Sequence, residues 1–316
     1  MNTAMTTTTP TTTPTAVRPF ALIGELMNNS FARARDAFQR RDLAKYQQLA
    51  QLQSDLGADF LTLNIDGTQS MRVRKEEMLA LLSDLVPAIQ DATNTPIAFD
   101  NPDVDFHVKA LSVYKRAADN QPILNSLAAS RTSLDRMIEL IAEHDTKVIV
   151  MASEKFAPGG GAQCLSAREV YETTKRFVEI LSERASRKND DIIVDPGLAP
   201  IAADTYGLVN MSLDAMRLIR ADPDLAGVHV SVGLTNFSFG VPKAIREGLE
   251  NAYVTLALEA GLDVVLGNPE KHLHALEDDS KYVTVVRDAL AAGRPQHGET
   301  QEDAGFRQSA KIMDLF

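Results

Sequence analysis

The chain predicts an α/β fold, a single-domain (β/α)8 TIM barrel, and three observations carry that expectation. Short runs rich in Val, Ile, Leu and Phe alternate strictly with longer segments of helical period. The runs are mostly apolar throughout, as strands covered on both faces by helices must be. The alternation repeats eight times, enough to close a barrel in a chain of this length. A doubly wound open sheet would show about five or six units and a glycine-rich first turn. The segment Gly24-Glu25-Leu26-Met27-Asn28 is no such turn.

The elements follow in order. Strands are expected at 20–25, 60–65, 96–100, 122–127, 147–153, 191–195, 228–232 and 262–266, each a compact apolar run ending in polar or turn-forming residues. Helices are expected between them at 31–56, 75–92, 104–118, 133–144, 166–187, 212–221 and 243–260, with an eighth at 282–292. The run Ala157-Pro158-Gly159-Gly160-Gly161-Ala162 reads as a loop after the fifth strand, not as a domain boundary. Residues 1–18, with nine threonines between Thr3 and Thr15, read as a disordered tail, leaving 19–316 as the barrel domain.

Bulk properties narrow the function. A net charge of -11 over 316 residues argues against a binder of nucleic-acid backbones, which needs clustered Lys and Arg. No run approaches the ~20 apolar residues of a membrane span. The N-terminal stretch has neither the apolar core of a signal peptide nor an Arg-rich transit pattern, so a cytoplasmic protein is expected. Cys164 is the only cysteine and has no evident activating partner, so it is expected to be a loop or buried thiol.

In a barrel, the residues at the C-terminal ends of the strands face one mouth. Here those ends offer Glu25 and Asn28, then Asn64 and Asp66, Asp100 and Asn101, Asn125 and Ser126, Ser153 with Glu154 and Lys155, Asp195, Asn236 with Ser238, and Asn268. Carboxylates and amides recur, and no histidine stands among them. Asp66, Asp103 and Asn268 are expected to cap or turn. His229, near the start of the seventh strand, is expected to be packed and structural. His272 and His274 are expected in a surface loop and not as metal ligands. Asp100, Asn125 and Asp195 are different, because they sit against Phe99, Leu124 and Val194, where a buried polar group needs a partner. They are read as ligand contacts. A carboxylate can take two N–H groups and an amide a mixed edge, so a flat heteroaromatic ring such as a pterin fits; a purine or a sugar could satisfy similar groups.

The pieces Ile23-Gly24-Glu25-x-x-Asn28, Gly57-Ala58-Asp59-Phe60-Leu61-Thr62-Leu63-Asn64, Phe99-Asp100, Ile123-Leu124-Asn125-Ser126, Ile193-Val194-Asp195-Pro196 and Gly233-Leu234-Thr235-Asn236-Phe237-Ser238 stand each on its own strand. In that order the chain resembles the pterin-binding barrels, and within them the methyltetrahydrofolate:corrinoid methyltransferases. It is similar in fold to dihydropteroate synthase but lacks that enzyme's Asn-x-Thr-Pro-Asp-Ser-Phe loop, its Gly-Gly-Glu-Ser-Thr strand end and its terminal Arg-Val-His. The resemblance implies that Asp100, Asn125 and Asp195 hold the pterin, that Asn64, Gly233 and Ser238 line the same site, and that Asn236 lies at N5 and stabilises the transition state. It implies tetrahydrofolate or 5-methyltetrahydrofolate as substrate, a cobalamin-type corrinoid as methyl partner, and a homodimer. Asp105-Phe106-His107 begins a cobalamin-binding Asp-x-His-x-x-Gly motif, but Ala110 stands where its glycine belongs, so the corrinoid is expected on a separate protein. Alternatives are a barrel that binds folate without turnover and a pterin-synthesis enzyme with unusual loops.

Overall fold

The computed structural model describes residues 18–315, so the tail expected at 1–18 lies outside them up to position 17. In chain order the elements are β1 (Ala21–Asn28), α1 (Ala32–Arg40), α2 (Leu43–Asp55), β2 (Phe60–Asn64), α3 (Lys75–Ala92), β3 (Ile97–Asp100), α4 (Val104–Val113), β4 (Ile123–Leu127), α5 (Leu134–His144) and β5 (Lys147–Met151). Then come β6 (Glu154–Ala157), β7 (Gly160–Gln163), α6 (Ala167–Ala185), β8 (Ile192–Asp195), α7 (Leu208–Ala221), β9 (His229–Gly233), α8 (Leu234–Phe237), α9 (Lys243–Ala260), β10 (Val264–Gly267), α10 (Lys281–Ala292) and α11 (Gln301–Met313). Eight strands close in the order β1-β10-β9-β8-β5-β4-β3-β2. Neighbours in the barrel pair in parallel. This is the expected single-domain (β/α)8 barrel.

Two apolar layers hold it. Ile23, Ala98, Ile123, Ile149, Ile193 and Val264 meet on the barrel axis. The opposite parity of each strand, including Leu22, Leu61, Phe99, Leu124, Val148, Val194 and Val230, packs outward against the helices in a larger core. Strands buried on both sides explain why the sequence runs are continuously apolar.

Four details differ from the sequence reading. The helix expected at 31–56 breaks in two, because Arg41 takes a left-handed conformation and the Asp42 carboxylate accepts the Lys45 N–H as a new N-cap. The helix expected at 104–118 stops at Val113, and beyond it Asn120 collects the Ala117 N–H and the Tyr114 hydroxyl. The helix expected from 212 begins at Leu208, where Asp204 accepts the N–H groups of Leu208 and Val209. The glycine loop after β5 is the tip of an antiparallel hairpin, β6–β7. One element was not anticipated: α11, opened by a reciprocal Thr300–Asp303 capping box.

His229 stands at the N-terminal end of the barrel, half-buried and not simply packed. Its Nδ1 lies 2.9 Å from Asp263 and its Nε2 3.2 Å from Asp190. Two carboxylates favour the cationic ring, and the bond to Asp263 raises its pKa against the opposing effect of burial. A raised value means that this stabilisation is complete below the ordinary histidine pKa and is lost as pH rises through the folded value. His229→Gln is expected to lower stability by about 1 kcal/mol or less at mildly acid pH, given the partial exposure of the cluster. The difference from the parent should vanish at alkaline pH; denaturant unfolding across a pH series checks it.

Candidate active site

The pleat sets the site. On each strand, the residue two positions beyond the axial layer shares its parity and emerges at the C-terminal mouth. Ile23 leads to Glu25, Thr62 to Asn64, Ala98 to Asp100, Ile123 to Asn125, Ile149 to Met151, Ile193 to Asp195 and Ser231 to Gly233. Parallel register keeps them level: Asp100 lies beside Asn125, Met151 beside Asp195, and Leu266 beside Gly233.

On one side of the mouth, the Asn64 amide donates to Asp100 Oδ2 at 3.0 Å, while its own Oδ1 accepts the Asp66 N–H. Burial raises the Asp100 pKa, opposed by the Asn64 hydrogen bond and by the positive charge of Arg131. Asn125 is buried beside it, and among the described residues no hydrogen bond engages its amide. Arg131, on the loop after β4, contacts Ser126 and was not singled out in the sequence; a lone arginine in a helix-entry segment carries no distinguishing pattern.

On the other side, Asp195 accepts the Gly197 N–H at 2.8 Å through Oδ1, and among the described residues its second oxygen has no hydrogen-bond partner. Burial pushes its pKa up to about 6. Asp195, Gly233 and Asn236 line a cavity of about 420 Å³, with Met151, Ser153 and Gln163 among its other walls. Among the described residues the Asn236 side chain is unbonded, and it is exposed to the mouth. A Cβ on Gly233 would lie 3.3 Å from Asn236 Nδ2, so the missing side chain leaves the amide its space. Hairpin β6–β7 forms the outer wall. Gly161 passes so close to Ser130 that a Cβ there would sit 2.6 Å from the Ser130 nitrogen, and Ser130 hydrogen-bonds Glu154.

Ser238 occupies a different place from the one anticipated at the ring. It is buried and donates its hydroxyl to Glu250 Oε1 at 2.5 Å, beneath the turn that carries Asn236. The structure thus brings Asn64, Asp100, Asn125, Asp195, Gly233 and Asn236 to one mouth and sets Ser238 behind it. Asp103 caps α4, and Asp66 and Asn268 accept N–H groups in turns. Cys164 is buried against Ala152 and Thr173. His107 is buried on α4 against the Asn101 carbonyl, with burial pressing its pKa down to about 4, so it is a neutral packing group. His272 and His274 lie against each other, ring centroids 4.4 Å apart. No described helix is long and apolar enough to cross a membrane.

Residues 24–268 match the family described as pterin binding enzyme. The chain belongs to that family. Among curated relatives of this pterin-binding enzyme is the methylcorrinoid:tetrahydrofolate methyltransferase of Eubacterium limosum, 23% identical over 250 residues, which cover 78% of this chain and 84% of the relative. Methionine synthase of Mycobacterium tuberculosis is 24% identical over 262 residues, 80% of this chain but 20% of that protein. Solved structures with the same fold include dihydropteroate synthases. That of Xanthomonas albilineans has a TM-score of 0.57 at 16% identity, covering 88% of this chain and 95% of its own. That of Thermus thermophilus has a TM-score of 0.52 at 21% identity, covering 86% and 92%.

The raised pKa of Asp195 has a thermodynamic consequence. A carboxyl raised from 3.8 to about 6 adds stability below its ordinary value and loses it as pH climbs through about 6. Asp195→Asn keeps an acceptor for the Gly197 N–H and removes the buried charge. The ligand-free variant is expected to be more stable near neutral pH by roughly 1–3 kcal/mol, with the gain disappearing below about pH 4. Thermal unfolding of both proteins across that range is the measurement.

Proposed function

We propose that this pterin-binding enzyme is a methyltransferase that moves a methyl group between N5 of tetrahydrofolate and the cobalt of a corrinoid carried by a separate protein. The observation that carries the reading is Asn236: an unbonded, uncharged amide on the turn after β9, facing the same cavity as Asp195. A site built to bind pyrophosphate would call for cationic groups there, and none of the residues lining this cavity is Lys or Arg. The relative named as a methylcorrinoid:tetrahydrofolate methyltransferase supports the same choice.

The chemistry follows from what the mouth offers. The second oxygen of Asp195 and the free oxygen of Asp100 can each accept N–H groups of an aminopyrimidinone, and the Asn125 amide can satisfy a mixed donor–acceptor edge. Thr62, on the axial face below Asn64, has a buried hydroxyl without a partner among the described residues, another polar group under the ring. A methyl group on a tertiary amine transfers poorly because the amine anion is a bad leaving group. Partial positive charge at N5 makes it transferable, and an amide that bonds more strongly as that charge develops lowers the barrier without tightening the ground state. Asn236 therefore acts by hydrogen bonding and not as an acid. The corrinoid supplies the cobalt(I) nucleophile, or the methyl group in the opposite direction.

Docking of a second protein requires an accessible rim. Leu165, Tyr206 and Phe239 stand exposed on three of the loops at this end of the barrel. That is consistent with a partner bringing its cofactor to the mouth.

The assay is spectroscopic: cobalt(I) corrinoid, free or protein-bound, is mixed with 5-methyltetrahydrofolate and its oxidation state followed in time. Asn236→Ala is expected to lower the methyl-transfer rate about 10²–10³-fold while folate affinity stays within a few-fold. Binding without any methyl exchange, in either direction, would mean a folate-binding scaffold instead. Folate affinity of the parent should also weaken as pH falls through about 6, where Asp195 takes up a proton and loses an acceptor site. Asp195→Asn should bind more weakly at neutral pH and lack that dependence.

A further inference from the structure

The mouth contains one buried carboxyl to which neither ring binding nor the amide at N5 assigns a task. Glu25, at the end of β1, is 5% exposed and reaches over the end of β10 to the far side. There its Oε1 accepts the hydroxyl of Thr235 at 2.6 Å. Thr235 is the residue before Asn236, on the single-turn helix α8. A four-residue helix has little cooperativity of its own, so its conformation depends on what holds it from outside.

Its other residues are held as well. Phe237 packs its ring 4.5 Å from that of Tyr253, and its carbonyl accepts the Ile201 N–H at 3.0 Å. Ser238 donates to Glu250, which is 1% exposed and is neutralised by Lys271 at 2.7 and 2.6 Å from its two oxygens. The residues on both sides of Asn236 are thus anchored to three different elements, and the Asn236 side chain alone is left unbonded. The Lys271 ammonium serves Glu250, so Glu25 has no cation of its own. Burial raises its pKa, with the Thr235 bond and Lys271 opposing and Glu250 adding to the rise. A buried carboxyl without a dedicated cation is costly to keep, and a packed apolar residue would stabilise β1 better.

We propose that Glu25 is a positioning residue for methyl transfer: by holding the Thr235 hydroxyl it fixes α8 so that the Asn236 amide stands at the reacting nitrogen. This rests on the methyl-transfer reading and adds to it. Glu25 acts through Thr235 and touches no reacting atom, so its loss should appear in the rate and not in ring affinity.

The test uses the full chain and four substitutions, with folate affinity measured by equilibrium titration and methyl transfer to cobalt(I) corrinoid by single-turnover kinetics. Thr235→Val removes the hydroxyl at nearly constant volume, and Glu25→Ala removes the acceptor. Both are expected to slow transfer roughly 10- to 100-fold, the scale of a misaligned catalytic group, with folate affinity within about threefold of the parent. Thr235→Ser and Glu25→Gln keep a donor and an acceptor, and should restore the rate to within about threefold. An unchanged rate in Thr235→Val overturns the proposal, because that exposed position tolerates the change without unfolding. So does a parallel fall in rate and affinity, which would make the turn a ring-binding element. A parent that binds folate but never transfers methyl removes the methyltransferase reading and this inference together; an active parent with indifferent variants removes this inference alone.

Discussion

The period-two alternation of side chains along parallel strands, closed into a barrel, is the constraint on which the rest of this structure depends. Once Ile23, Ala98, Ile123, Ile149, Ile193 and Val264 are locked together on the axis, the residues two steps further have no choice of direction. They must enter the mouth, and a slip of one residue in any strand would turn its polar end toward the helices instead. The apolar axis therefore does more than stabilise: it brings Glu25, Asn64, Asp100, Asn125 and Asp195 to the same end of the barrel. Burial raises the pKa values of Glu25, Asp100 and Asp195 alike, so three carboxyls on three strands are less stable as anions than they would be in water. A protein under selection for stability alone would not assemble such a ring; in the proposed reading, N–H groups of the pterin would meet Asp100 and Asp195, while Glu25 already accepts from Thr235.

The two sides of the mouth solve different problems. Around Asp100 the groups are interlocked: Asn64 donates to the carboxylate, and Arg131 lies near enough to temper its burial. Around Asn236 the side chain is free while the backbone is anchored by its neighbours. A binding edge benefits from groups fixed in advance, since less ordering remains to be done when the ligand arrives. A group that must respond to a changing charge benefits from a fixed backbone and a mobile tip. In the proposed reading, Asp100 and Asn236 divide along that distinction.

Much of this was legible in the sequence because it depends on patterns of short range. Eight apolar runs named the barrel, and polar residues such as Asp100 and Asp195 directly after Phe99 and Val194 marked the mouth. What escaped depends on contacts between distant positions or on weak local signals. Ser238 sits two residues after Asn236, and only the three-dimensional path of the turn directs it away toward Glu250. The hairpin β6–β7 is two strands of four residues with glycines at Gly160 and Gly161, a composition that favours a loop in any local reading. The break at Arg41 and Asp42 needs a capping geometry that an uninterrupted helical period conceals. The bond between Glu25 and Thr235 spans 210 positions, and no spacing rule could reveal it.

In the proposed reaction, an amide at the reacting nitrogen also bears on direction. Asparagine offers a donor at Nδ2 and an acceptor at Oδ1. Turned one way it can donate to the lone pair of a neutral amine, and turned the other it can accept from a protonated one. The space needed for that turn is what Gly233 provides, since a Cβ there would press on Nδ2 at 3.3 Å. A carboxylate in the same position would favour the cationic amine only, and a lysine would disfavour it. In the proposed reaction the same side chain can therefore accompany N5 through both charge states, which would permit transfer in either direction. On that reading, the net direction of transfer is set by the concentrations of the folate and corrinoid forms relative to the equilibrium constant, not by Asn236.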